Sequence, residues 1–144
     1  MNISKFTQKS VQAVQDLEKV AYEYGNQEIE QEHLLYTLLT QEDSLILKLI
    51  EKMEINKDYF IDTVKKALDA KVKVSGGELR FGQYLNKALV NAEDEAKAMG
   101  DEYVSVEHLF LSLLKYPSPS MKKIWSEFGI TKERFLQALS TVRG

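Results

Sequence analysis

Apolar positions along the chain fall into short stripes with helical spacing. Phe6, Ala13, Val14, Leu17, Ala21 and Tyr24, with Ser10 in register, recur at steps of three and four. The same stripe returns as Phe81, Leu85, Ala88, Leu89, Ala92, Ala96 and Met99, so each half opens with a long amphipathic helix. Gly25 and Gly100 stand one position past these stripes, where a left-handed C-terminal cap favours a residue without Cβ. Leu109, Phe110, Leu113 and Leu114 mark a shorter second helix with Ser105 at its N-cap; Glu30, a weaker capping residue, holds that place in the first half. Ser118-Pro119 opens a third helix that runs through Phe128, and Asp43-Ser44 is its counterpart. Asn56 and Thr131 cap fourth helices that run to about Ala70 and Val142. A strand reading has little support, because the one clean alternation, Val72 and Val74, lies in a linker-like stretch that ends in Gly76-Gly77.

These stripes are two copies of one unit. Shifting the chain on itself by 75 residues places Glu32-His33-Leu34 on Glu107-His108-Leu109 and Leu38-Leu39 on Leu113-Leu114 without a gap. Between Phe6 and Phe60, 15 of 55 positions are identical. Chance at ordinary residue frequencies would give about three or four, so the similarity is a duplication. The expected architecture is all-α: eight helices as two pseudo-twofold-related four-helix repeats packed as a single domain over 1–144. The first repeat spans about 3–70, the linker 71–79 and the second repeat about 80–143.

Composition narrows the chemistry. The sequence has 144 residues, 44% hydrophobic and 28% charged, with a net charge of −3 and no cysteine. That length buries a sizeable core unaided, and the missing thiols exclude disulfides, thiolate metal sites and cysteine nucleophiles. No apolar run approaches the ~20 residues of a membrane span, and the first ten residues lack a secretory apolar stretch, so the chain is read as cytoplasmic. An acidic balance with only paired lysines gives no footprint for nucleic acid. Neither a G-x-x-x-x-G-K-[ST] phosphate loop nor a G-x-S-x-G nucleophile turn is present. His33 and His108 occupy equivalent repeat positions, but a metal site needs further converging ligands. Local packing and hydrogen bonding is the better reading for both. Acids at the helix starts, Glu32, Asp101 and Glu107, could receive a cationic group, although such acids usually serve the helix dipole.

The doubled pattern is similar to the N-terminal domain of the Clp family of AAA+ unfoldases: F-T near the start, a Gly-terminated first helix, E-H-L-L-x-x-L-L, then D-E-Y-V-S-V-E-H-L-F-L-S-L-L. The linker Lys73 to Gly77 and the segment Asp101 to Leu109 lean toward the ClpB disaggregase type. The ClpC type, whose halves carry G-T-E-H helix starts, is the second choice. The resemblance implies a fragment of a longer chain in which ATPase modules that use ATP and Mg follow Gly144. The full-length protein would be a hexameric ring threading polypeptide through its pore, while this domain, monomeric when isolated and without a cofactor of its own, engages unfolded or aggregated polypeptides or adaptor proteins. It implies no catalysis by this chain.

Carried residue by residue, the resemblance places substrate handling on Thr7, Asp101 and Glu107 and an apolar patch around Leu89. Asn91 and His108 stand where that patch is usually apolar. In the ClpC type, Glu32 and Glu107 with a threonine of each first helix would receive phosphorylated arginine; Gly82 replaces the second threonine, so the resemblance does not extend to a symmetric pair of such sites. Reversible capture is the implied mechanism, through a shallow groove lined by Tyr84, Leu85, Leu89 and Phe110. Core packing is the alternative for each, the stronger one for Leu85 and Phe110. Burial of about 300 Å² on each side at roughly 25 cal/mol per Å² would supply up to ~15 kcal/mol, mostly offset by lost freedom. Three rivals remain: adaptor or phosphoarginine docking, a small helical enzyme using His33 and His108 as acid and base, and nucleic-acid binding by a helix-turn-helix, which the acidic balance disfavours.

Overall fold

A computed structural model describes residues 2–143. Its helices are α1 (Gln8–Glu23), α2 (Gln31–Thr40), α3 (Leu45–Lys52), α4 (Lys57–Asp69), α5 (Gln83–Ala98), α6 (Val106–Lys115), α7 (Pro119–Phe128) and α8 (Lys132–Arg143). The caps explain the boundaries. The side chains of Thr7, Ser44, Asn56 and Ser118 accept from backbone N–H groups at the starts of α1, α3, α4 and α7, and Thr131 accepts from Arg134 N at 3.2 Å. Gly25 and Gly100 follow α1 and α5 at φ +70° and +73°, a region costly for residues with a Cβ.

The second helix of each half lies at the centre. Eight of ten residues are buried in α2, and eight of ten in α6, so these helices are enclosed nearly all round, whereas the longer α1 and α5 bury one stripe. Helix α1 packs on α2 and α5 on α6; across the halves α1 meets α6, α2 meets α5, and α3 touches both α6 and α8. One core cluster runs through both repeats.

Two parallel pairings correct the expectation that strands have no part. Strand β1 (Glu28–Ile29) pairs with β2 (Arg80–Phe81), and Phe6 forms a bridge with Val104. The pairings obey the repeat: Gly82 N donates to Ile29 O at 2.8 Å, and Thr7 N, 75 residues earlier, donates to Val104 O at 3.0 Å. Each half thereby hands the entry of its first helix to the other half's loop. The stretch after α4 is also fastened, with Val74 N on Gly25 O at 2.9 Å and Asn26 Nδ2 on Val72 O at 3.0 Å.

Candidate functional site

The shared E-H-L motif builds the same polar node twice. At the start of α2, the backbone N–H of Glu30 donates to His33 Nδ1 at 2.8 Å; at the start of α6, that of Ser105 donates to His108 Nδ1, also at 2.8 Å. Each imidazole replaces the Glu or Gln that usually reaches back to the N-cap. Because Nδ1 accepts, the ring proton sits on Nε2, which donates to Asn26 Oδ1 at 2.9 Å in the first half and to Asp101 Oδ2 at 2.7 Å in the second. Asn26 and Asp101 are repeat equivalents. Both histidines are wholly buried. Burial, and after it the charge of Lys71, lowers the pKa of His33 to about 4. Among the described residues, no group of three His, Asp or Glu side chains is placed to hold a metal.

The acidic helix starts are already occupied by cations from this chain. Lys71 Nζ, just past α4, lies 3.0 Å from Glu30 Oε2 and 3.2 Å from Glu32 Oε1. Glu32 is 1% exposed, and its other oxygen accepts from the Ser120 hydroxyl. In the second half Arg143, at the end of α8, lies 2.6 Å from Asp101 Oδ2 and 3.2 Å from Glu107 Oε2. That guanidinium, with the His108 hydrogen bond, holds the Asp101 carboxyl below its usual range. Glu32, Asp101 and Glu107, the acids able to receive a cationic group, thus each meet a cation supplied by the chain itself. Removing a cation from the first half would leave a buried carboxylate unpaired, which is strongly unfavourable.

Thr7, Asp101 and Glu107 are brought to one corner, since Thr7 pairs with Val104 between the two acids in sequence. Thr7 itself caps α1, accepting from Ser10 N at 3.3 Å and donating to Ser10 Oγ at 3.1 Å. The expected groove does not form. Leu85 and Phe110 are fully buried and Leu89 is 2% exposed, because the face of α5 that carries the leucines packs on α6. Phe110 stacks on Phe135 at 4.4 Å and meets Trp125 edge-on at 5.2 Å. Tyr84 alone of the four faces solvent.

The charge partners Lys71 and Arg143 escaped the sequence reading, because both lie at or just past the end of the fourth helix of their half, far along the chain from the acids they meet. Gln31 escaped it too. Its amide donates to Tyr84 O at 3.0 Å and Tyr116 O at 2.8 Å and accepts from Ser118 N at 2.9 Å, tying α2 to the second half. The available signal was a glutamine at the first position of α2 where the repeat equivalent is the apolar Val106.

Residues 5–128 match the Clp repeat (R) N-terminal domain. The chain is 38% identical over 150 residues to the chaperone protein ClpB of Nitratidesulfovibrio vulgaris and 40% identical over 149 residues to that of Clostridium tetani. In both cases the match covers 100% of this chain and 17% of the relative, so the chain spans about a sixth of their length. The fold is that of the Hsp104 N-terminal domain from Candida albicans, with a TM-score of 0.83 at 21% identity, covering 98% of this chain and 93% of that one. It is also that of a ClpV N-domain solved in complex with a VipB peptide, with a TM-score of 0.71 at 20% identity over 96% and 89% of the two chains.

Proposed function

The chain belongs to the Clp repeat N-terminal domain family, and we propose that it is the polypeptide-receiving module of a ClpB-like ATP-dependent disaggregase of the cytoplasm. In this reading it captures unfolded or aggregated chains, or adaptors, and releases them to ATPase modules of a ring-forming protein, without catalysing a reaction itself. The observation that carries it is the end-to-end likeness to ClpB chaperones at 38–40% identity. The chemistry of the chain agrees: no phosphate loop occurs in the sequence, and both histidines are consumed as caps. With Leu85, Leu89 and Phe110 in the core, capture falls to solvent-facing apolar side chains such as Tyr84, Val90 and Tyr103. A surface so sparse binds loosely, in the micromolar range or weaker, at most ~8 kcal/mol, as suits a module that must let its client go. The phosphoarginine reading loses ground because Lys71 and Arg143 fill the acidic positions. The test is an amide NMR titration with a permanently unfolded protein: fast-exchange shifts clustered at Tyr84, Val90 and Tyr103 are expected. Absence of shifts, or a preference for free phosphoarginine, would overturn the reading.

A further inference from the structure

At the C-terminal end of α6 the surface opens into a cleft of about 490 Å³ between α6, α7 and the start of α8. Its floor is apolar, formed by Leu114, Trp125 and Ile130, and three lysines line it, Lys115, Lys122 and Lys132. Among the described residues, no carboxylate lines it. The charge is a local reversal, since the whole chain is net −3. Lys115 is shared, lying 3.7 Å from Glu95 Oε2 and 5.6 Å from the centre of the Tyr116 ring. Lys122 and Lys132 join no ion pair among the described residues. The N-terminus of α8, where Thr131 and Lys132 sit, adds the positive end of a helix dipole.

Nothing in the duplication requires this arrangement. Of the three lysines only Lys132 has a lysine, Lys57, at its first-half equivalent; Thr40 and Leu47 stand in place of Lys115 and Lys122, and Ile50 in place of Trp125. The cleft also lies a ten-residue helix, about 15 Å, from the Asp101–Glu107 corner at the other end of α6.

We propose that this cleft docks an acidic peptide segment, one whose leucine-like side chain enters over Trp125 while flanking carboxylates meet Lys122 and Lys132. Charge complementarity selects that occupant: an apolar floor alone would take any hydrophobic chain, whereas unpaired lysines at its rim favour carboxylates and repel basic segments. The partner is thus an acidic stretch of an adaptor or client, and this assignment rests on the polypeptide-binding reading above only for its biological setting.

Trp125 is the single tryptophan of the chain, so its emission reports the cleft directly. The intact chain is titrated with the peptide acetyl-Glu-Glu-Leu-Leu-Glu-Glu-amide and with its Lys-for-Glu counterpart. A saturable change in Trp125 emission with the acidic peptide alone, weakened by salt and lost about tenfold or more in Lys122→Glu/Lys132→Glu, is expected. That variant, checked for retained helicity, should in turn gain response to the basic peptide. Equal response to both peptides, or none up to about 1 mM, would overturn the assignment. So would concentration-dependent dimerisation that alters Trp125 emission without peptide, which would give the cleft to a second copy. Unfolded-protein shifts at Tyr84 and Val90 are read separately, so failure of either idea leaves the other standing.

Discussion

The two halves share a backbone plan and differ in what stabilises it. Both second helices start with a histidine that accepts from its N-cap, yet His33 donates to a neutral amide, Asn26, and His108 to a carboxylate, Asp101. The first half buries its acid: Glu32 is nearly inaccessible and meets Lys71, whose side chain is only 13% exposed. In the second half Glu107 is also buried while Asp101 is partly exposed, and Arg143, one-third exposed, clamps both. Gln31 bridges the halves while its counterpart Val106 only packs. Duplication thus preserved the histidine caps of the two second helices and released the surrounding positions for different work, a lysine-paired lock bridged to the other half by Gln31 in one case and an arginine clamp across two acids in the other.

Making Gln31 like its counterpart is the harshest test of that division. Gln31→Val takes the acceptor from Ser118 N–H and the amide donor from Tyr116 O, and each orphaned buried group costs roughly 1–3 kcal/mol. A loss of about 4 kcal/mol in urea unfolding is expected, against a small effect for the conservative Val106→Ile; equal effects would erase the asymmetry. Next in size is the response to acid. The folded pKa of His33 lies near 4 against 6.5 for an exposed histidine, so between those values the unfolded chain binds a proton that the folded chain refuses. Stability is then whole above pH 6.5 and declines as pH falls toward 4, by about 3 kcal/mol at the limit. Denaturation at pH 7 and pH 5 checks it, and a His33→Gln variant should flatten the slope across that window. A wild-type curve unchanged over the window would show that the ring is not kept neutral by burial. The smallest effect is in the backbone. Glu54 and Gly129 are repeat equivalents, both at φ +62°. Glu54→Gly relieves the left-handed strain of a side chain and should stabilise by up to ~1 kcal/mol, seen as a higher midpoint in thermal unfolding, whereas Gly129→Ala should destabilise.

The helices were legible because their signals are local. Asn56, Thr131 and the Ser118-Pro119 pair announce their helix starts by chemistry that acts within one turn. The pairing of Ile29 with Phe81 and of Phe6 with Val104 was not legible, since two-residue strands carry no alternation and their partners come from the other half. The candidate site was legible in part. Tyr84 is exposed as a groove residue must be, whereas Leu85, Leu89 and Phe110 follow the same apolar stripe and are core. Periodicity identifies the face of a helix that avoids water, but it cannot distinguish a face covered by α6 from one left for a client.

By itself, the sequence determined the duplication, the eight helices and their caps, because repeats and 3.6-residue periodicity are properties of order along the chain. The tertiary structure alone decided which acids meet which cations, that the halves exchange strand partners, and that three lysines gather around Trp125. Those facts depend on distances between residues far apart in the chain, and such distances exist only once the apolar stripes have found one another and left water.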